Sequence, residues 1–117
     1  MKKVVLYHNP NCSKSRTTLE LLEERELAPE IVEYLKTPLG PDQLTALIDQ
    51  LDAEPAALVR KDKHFKELGL DPGHYTTAEA VVELLAAHPR LMERPVAVHE
   101  GRAVIGRPPE NVLALID

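Results

Sequence analysis

The fold is decided by the stretch from residue 3 to residue 35, which reads KVVLYHNPNCSKSRTTLELLEERELAPEIVEYL. Its first part, Lys3 to Tyr7, is an apolar run with β-branched side chains and predicts a buried strand. From Ser13 to about Glu26 the apolar residues recur at helical spacing, and Glu30 to Leu35 predicts a second strand. Strand, helix and strand within about 35 residues are typical of a βαβ unit, whose two strands run parallel.

The middle of the chain, from about residue 40 to residue 90, has helical patterns. Pro41 suits the first turn of a helix, whose apolar stripe comprises Leu44, Leu47, Ile48 and Leu51. Thr76 and Glu79 fit a capping box, with Thr76 as the N-cap of another helix. Pro89 should end that helix. These residues predict a largely helical segment after the βαβ unit.

The last part of the chain predicts a hairpin and a final helix. The strands Pro95 to His99 and Arg102 to Ile105 flank Glu100-Gly101, a tight-turn signal. Pro108 and Pro109 then open a helix whose inward residues should be Val112, Leu113 and Ile116. The order is βαβ, then helices, then ββα. We therefore predict an α/β protein with a thioredoxin-like fold, a mixed four-stranded sheet in a single domain (1–117), and a helical insertion at about 40–90.

Composition excludes several classes of function. The chain has 117 residues, of which 44% are apolar and 3% aromatic, so one domain with an aliphatic core is expected. The net charge of -5 disfavours nucleic acid as a partner. No apolar run approaches the roughly 20 residues that span a bilayer, and the first residues lack the apolar stretch of a signal peptide. We expect no membrane partner and a cytoplasmic location.

The sequence contains one cysteine, Cys12, between the first strand and the first helix. Unpaired backbone N–H groups and the helix macrodipole stabilise a thiolate at such a junction and lower its pKa. Lys14 adds positive charge nearby, His8 ends the preceding strand, and Ser15 is placed to donate a hydrogen bond to the thiol. The alternative is a buried thiol that only fills space at the helix start.

Several motifs, in order along nearly the whole chain, make this sequence resemble the glutaredoxin-type arsenate reductases. The first contains Cys12, and later ones contain Arg60, Arg94 and Arg107. The matching stretches are Tyr7–Arg16, Tyr34–Pro38, Leu58–Lys61, Glu67–Leu70, His88–Pro95 and Gly106–Pro108.

The resemblance implies a role for each matched residue. Cys12 corresponds to the nucleophile, with His8 and Ser15 as residues that assist the thiolate. Arg60, Arg94 and Arg107 correspond to three arginines that bind the substrate oxyanion, and Pro95 to a cis-proline of the thiol-binding site. Guanidinium groups suit this task because their planar, forked donors match tetrahedral oxyanions and keep their charge. Each arginine taken alone could equally form a surface salt bridge.

The resemblance also implies an activity, which is reduction of arsenate to arsenite through a thiol-arsenate adduct on Cys12. Glutathione would attack the adduct as co-substrate, and a glutaredoxin would complete the reduction. One cysteine cannot resolve such an adduct internally, so external thiols are required on chemical grounds. We expect no bound cofactor. We also expect no metal, because the five histidines are scattered and none has zinc-ligand spacing.

Two other functions remain compatible with this pattern. Thioredoxin-like regulators that bind RNA polymerase share the layout, but they typically carry a Cys-x-x-Cys switch and lack the arginine matched by Arg107. A glutathione-dependent mixed-disulfide oxidoreductase would need Cys12 but not all three arginines. The Cys-x-x-Ser motif at Cys12–Ser15 and the presence of Arg107 both favour the reductase.

Overall fold

A four-stranded mixed sheet with the strand order β2–β1–β3–β4 organises the protein. The structure, a computed structural model, describes residues 4–26 and 29–115. Strand β1 pairs parallel to β2 and antiparallel to β3, and β3 pairs antiparallel to β4. The strands are β1 (Val5–Tyr7), β2 (Glu30–Val32), β3 (Val96–His99) and β4 (Arg102–Ile105). This is the mixed thioredoxin-like sheet that the sequence predicts.

The described helices lie between these strands and after them. The α-helices are α1 (Ser13–Glu24), α2 (Pro41–Gln50), α3 (Lys63–Glu67) and α4 (Ala78–Ala87). Shorter 3₁₀ segments are Pro55–Leu58, Pro72–His74, Pro89–Leu91 and Pro109–Leu115. None of the helices within residues 4–26 and 29–115 is long and apolar enough to cross a membrane.

The sheet separates two hydrophobic clusters because successive residues of a strand point to opposite faces. On one face, Leu6 of β1 packs with Leu22 of α1 and Val112 of the last 3₁₀ segment. On the other face, Val96 of β3 packs in the larger cluster beneath α2 and α4. The buried side chains are mostly aliphatic, with Tyr34 as one of the two largest exceptions. The two clusters therefore pack against β1 and β3 on both faces of the sheet.

Several predicted elements are shorter in the structure. Strand β3 begins at Val96 and not at Pro95, because proline has no N–H for strand pairing. Strand β2 ends at Val32 and not at Leu35, because a turn follows in which Lys36 N and Thr37 N both donate to Glu33 O. Helix α1 ends at Glu24, two residues early, and Glu26 adopts a positive φ of 60° that no helix continues through. The predicted start of β1 at Lys3 lies outside the described residues.

Two predicted details at the helix ends are also wrong. The N-cap of α4 is Thr77 and not Thr76, since Thr77 Oγ1 accepts from Ala80 N at 3.2 Å. The final helix is 3₁₀ throughout Pro109–Leu115. Its three-residue period places Val112 and Leu115 in the core, whereas Leu113 is only partly buried. The third predicted residue, Ile116, lies outside the described part.

The hairpin between β3 and β4 turns through Glu100 and Gly101, as predicted. Both residues have positive φ angles, 50° at Glu100 and 78° at Gly101. Two-residue turns with this geometry match the twist of antiparallel strands. The hairpin brings Arg107, just after β4, beside Arg94, just before β3.

Candidate active site

Cys12 is the N-cap residue of α1. Its carbonyl accepts the first helical hydrogen bond, from Arg16 N at 3.1 Å, and its own N–H donates to Asn9 O at 3.0 Å. The half-buried thiol thus lies at the helix end where backbone N–H groups are in excess. This is the strand–helix junction that the sequence predicts.

The surroundings of the Cys12 sulfur favour its ionised form. Burial raises the pKa of the thiol, but the backbone N–H groups of Ser15 and Lys14, the Arg94 guanidinium and the charge of Arg107 outweigh burial and lower it. The result is a pKa below the ordinary cysteine value, which increases the fraction of nucleophilic thiolate.

Two of the three predicted arginines interact with the Cys12 sulfur. Arg107 Nη2 lies 3.5 Å from Sγ, and the Arg94 guanidinium also stabilises the thiolate. Arg60 lies one contact further out, because it donates to the Glu93 carboxylate, which is also paired with Arg107. The structure therefore brings all three arginines into one cluster, with two of them at the sulfur.

Glu93 is a member of this cluster that the sequence pattern did not single out. Its Oε1 lies 3.2 Å from Arg60 Nη1 and 3.0 Å from Arg107 Nε. The same oxygen accepts from Arg94 N at 3.3 Å. The sequence did hold one indication of Glu93: it directly precedes Arg94 in the stretch His88–Pro95, which supports the family resemblance.

Tyr34 is a second site residue that was not predicted. Its side chain is fully buried, and its hydroxyl accepts from Arg94 Nη1 at 3.5 Å. Burial raises the pKa of the phenol, with the Cys12 charge acting in the same direction and Arg94 and Arg60 opposing. The hydroxyl therefore stays neutral at physiological pH and can buttress Arg94 without cancelling its charge.

Ser15 contributes through its backbone as well as its side chain. The Ser15 N–H acts on the Cys12 sulfur, while the fully buried hydroxyl oxygen accepts from Asn9 N at 3.3 Å. The hydroxyl thus ties the loop before Cys12 to the first turn of α1. A hydrogen bond from the hydroxyl to the thiol, as expected from the Cys-x-x-Ser motif, stays a prediction.

His8 is buried at the end of β1, with only 6% of its surface exposed. Within the described part of the chain, its Nδ1 atom is buried and has no hydrogen-bond partner. Burial lowers the pKa of the imidazole, opposed by the charge of Glu33 and reinforced by that of Arg16. A neutral imidazole can accept a proton; assistance of His8 to the Cys12 thiolate stays a prediction.

Pro95 has the cis peptide bond that the sequence predicts, between Arg94 and Pro95. The Arg94 carbonyl accepts from Arg107 Nε at 2.8 Å, and the Pro95 carbonyl from Gly106 N at 2.8 Å. A Cβ at Gly106 would come within 2.8 Å of the Pro95 ring, so glycine permits this close approach. The Arg107-Pro108 peptide is also cis, which was not predicted.

An open groove of about 620 Å³ lies beside the cluster. Glu93 and Arg107 line it at one side, and Asp52, Glu110 and Asn111 are among its other residues. In residues 4–26 and 29–115, no group of three or more His, Cys, Asp or Glu side chains is placed to hold a metal ion.

The fold and the site define a thioredoxin-like protein whose cysteine is activated at a helix N-terminus between two arginines. Comparison with known proteins gives the family. The model of the ArsC family matches residues 7–115, so the chain belongs to the ArsC family.

Individual relatives and a solved structure are similar to this chain over nearly their whole length. An arsenate reductase of Neisseria meningitidis is 42% identical over 118 residues, covering 99% of this chain and 100% of the relative. The Escherichia coli protein YfgD is 44% identical over 117 residues, covering 98% of each. The structure of an arsenate reductase from Vibrio cholerae is 43% identical and superimposes with a TM-score of 0.88, covering 98% of both chains.

Proposed function

We propose that this protein reduces arsenate to arsenite, with Cys12 as the nucleophile and glutathione and a glutaredoxin as electron donors. The observation that carries the proposal is the 3.5 Å distance between Cys12 Sγ and Arg107 Nη2. A thiolate beside a guanidinium can attack an oxyanion that the same guanidinium binds. The relatives from Neisseria meningitidis and Vibrio cholerae, which are named arsenate reductases, support arsenate as that oxyanion.

The arginines supply the anion-binding part of the proposed site. Burial lowers the pKa of Arg94, but the neighbouring Tyr34 and the Cys12 sulfur more than compensate and raise it. Arg94 and Arg107 both interact with the Cys12 sulfur, and their forked guanidinium donors can give a tetrahedral oxyanion several hydrogen bonds there. The charge that develops on the oxyanion during attack is stabilised by donors already in place.

The proposed chemistry begins when the Cys12 thiolate attacks arsenic and forms a sulfur–arsenic bond. The proton that the Cys12 thiol loses passes to the neutral imidazole of His8, the proposed proton carrier, which then gives it to the arsenate hydroxyl that leaves as water. Glutathione provides the second thiol. Overall, two thiols lose two electrons and two protons, As(V) becomes As(III), and the two sulfurs end as a mixed disulfide that the glutaredoxin reduces.

External thiols are part of the proposal because the sequence contains one cysteine. A single cysteine cannot displace the arsenic product by closing an internal disulfide. The reaction also requires Cys12 to be kept reduced, which fits a cytoplasmic location. We propose no bound cofactor: glutathione is a co-substrate that arrives after arsenate.

The test is a coupled assay that follows NADPH consumption with arsenate. One arm contains glutathione, glutaredoxin and glutathione reductase, and the other contains thioredoxin and thioredoxin reductase. We expect arsenate-dependent turnover in the first arm only, with complete loss in Cys12→Ser. Turnover in the thioredoxin arm alone would show that thioredoxin, and not glutathione with a glutaredoxin, is the electron donor. Turnover on a glutathione mixed disulfide but not on arsenate would establish the disulfide oxidoreductase instead.

A further inference from the structure

We propose that Glu93 is a positioning residue that holds the Arg107 and Arg60 guanidiniums in the orientation in which they receive the oxyanion. The identity of that oxyanion rests on the function proposed above, whereas the positioning itself rests on the geometry of the cluster.

The contacts of Arg107 carry the first step. Its Nε–H donates to the Arg94 carbonyl at 2.8 Å, and Glu93 Oε1 lies 3.0 Å from the same nitrogen as an ion pair. Because the guanidinium is planar and rigid, fixing Nε fixes the direction of the other nitrogens. Nη2 is thereby directed to within 3.5 Å of Cys12 Sγ. Without the carboxylate, Arg107 would be held by one carbonyl only.

The contacts of Arg60 carry the second step. Its Nη1 lies 3.2 Å from Glu93 Oε1, and its Nε donates to Asp62 Oδ2 at 3.1 Å. Arg60 and Arg107 therefore share one carboxylate oxygen, Oε1 of Glu93. That shared atom sets the spacing between two positive groups that would otherwise repel each other.

Glu93 is itself held by the backbone around it. Val59 and Met92 form an antiparallel bridge, flanked by hydrogen bonds from Arg60 N to Leu91 O at 2.6 Å and from Glu93 N to Leu58 O at 2.7 Å. The Glu93 side chain is 19% exposed, against 28% for Arg107. Partly buried pairs of this kind are screened less by solvent than surface pairs. The backbone thus presents a fixed carboxylate to two arginines.

A positioning role and a purely electrostatic role predict changes of opposite sign. Removing a negative charge next to an anion site and a thiolate should, by Coulomb's law alone, tighten anion binding and lower the thiol pKa. Releasing Arg107 from its orientation should weaken anion binding and raise the thiol pKa. A role in folding alone would change neither quantity in the folded protein.

The experiment compares Glu93→Ala, Glu93→Gln and the control Glu110→Ala. Glu110 is an exposed carboxylate of the same groove, so Glu110→Ala removes the same formal charge, but one that solvent screens more strongly than the charge of Glu93. The first readout is the arsenate concentration that half-protects Cys12 from iodoacetamide. The second is the pH midpoint of Cys12 alkylation without any oxyanion. Both are measured well below the thermal unfolding midpoint of each variant.

For Glu93→Ala we expect the half-protecting arsenate concentration to rise on the order of tenfold and the alkylation midpoint to move upward. Glu93→Gln keeps an acceptor oxygen, so its half-protecting arsenate concentration should rise only about threefold. If the alanine variant does not fold, the glutamine variant tests the positioning role. Glu110→Ala should resemble the wild type. Unchanged or tighter protection in both Glu93 variants, or an equal loss in Glu110→Ala, would overturn the inference.

The same data separate this inference from the proposed function. If arsenate does not protect the wild-type cysteine, the proposed function fails, and the alkylation midpoint alone decides the role of Glu93. If arsenate protects the wild type and Glu93→Ala equally, with the same midpoint, the function stands and the positioning role fails.

Discussion

Arg107 Nη2 lies 3.5 Å from Cys12 Sγ, although 95 positions separate the two residues in the sequence. The cysteine is held by the start of α1, and the arginine follows β4. Because the sheet pairs β1 with β3 and β3 with β4, both residues are carried to the same end of the sheet. The chemistry proposed for this protein depends on that pairing.

The first prediction concerns the ionisation of Cys12. Its alkylation by iodoacetamide should have a pH midpoint below the ordinary cysteine value of about 8.5, because the helix N–H groups and two arginines outweigh burial. Arg94→Ala should move the midpoint upward. Arg102→Ala, an exposed arginine on β4, is the matched control and should leave it unchanged. A wild-type midpoint at or above about 8.5 would show that the thiol is not activated.

The second prediction concerns Arg107 as a donor to the reacting oxyanion. Arg107→Ala should lower kcat/KM for arsenate by on the order of 10²–10³, the usual effect of removing one such donor. Arg107→Lys keeps one charge but lacks the planar fork, so it should retain part of the activity. Both variants are assayed where urea unfolding shows them to be folded, because the partly buried pair of Arg107 with Glu93 is screened less by solvent than a surface pair.

Arg102→Ala again serves as the control for loss of one arginine and should keep wild-type kcat/KM. If Arg107→Ala reduces arsenate as fast as the wild type, Arg107 is not a substrate ligand. The mixed-disulfide oxidoreductase would then be the better interpretation.

The third prediction concerns His8 and pH. Burial lowers the pKa of His8 in the folded state, so the unfolded state binds the proton more readily. The stability contributed by neutral His8 is therefore complete above about pH 6.5, the pKa of histidine in the unfolded chain. It is lost as the pH falls from there toward the lower pKa of His8 in the folded protein. Urea unfolding at several pH values should show a steeper loss of stability on acidification in the wild type than in His8→Gln.

His74→Gln, which replaces an exposed histidine, controls for the substitution itself. Equal acid-side slopes in the wild type and His8→Gln would contradict the burial of a neutral imidazole at residue 8.

The fourth prediction concerns the hairpin turn. Gly101 has a φ of 78°, and a Cβ added there would meet no atom within 4 Å beyond its chain neighbours. Gly101→Ala therefore tests backbone conformation without a clash. We expect a loss of about 1 kcal/mol in the free energy of unfolding. Gly73→Ala, at a glycine outside the positive-φ region, should be near neutral. Equal effects of the two substitutions in urea unfolding would contradict the turn geometry.

Much of this fold could be predicted from local patterns because each of its helices, strands and turns is encoded by residues that are close together in the sequence. The apolar, β-branched runs of β1 and β3, the proline at the start of α2 and the Glu100-Gly101 turn are each encoded within a few residues. The errors fell at element ends. There, a hydrogen bond such as Thr77 Oγ1 to Ala80 N, or the 3₁₀ period that buries Leu115 in place of Leu113, decides between adjacent residues.

The activated cysteine and its helix N-terminus are properties of ten consecutive residues, so the sequence alone identified them. The arrangement of the arginines, in contrast, depends on contacts between residues that are far apart in the sequence. Arg60 and Glu93 meet only because Val59 bridges to Met92, and Arg107 reaches Cys12 only through the pairing of three strands. A shared carboxylate oxygen between two distant guanidiniums leaves no periodic signal in the chain, because its geometry exists only after the long-range contacts have formed.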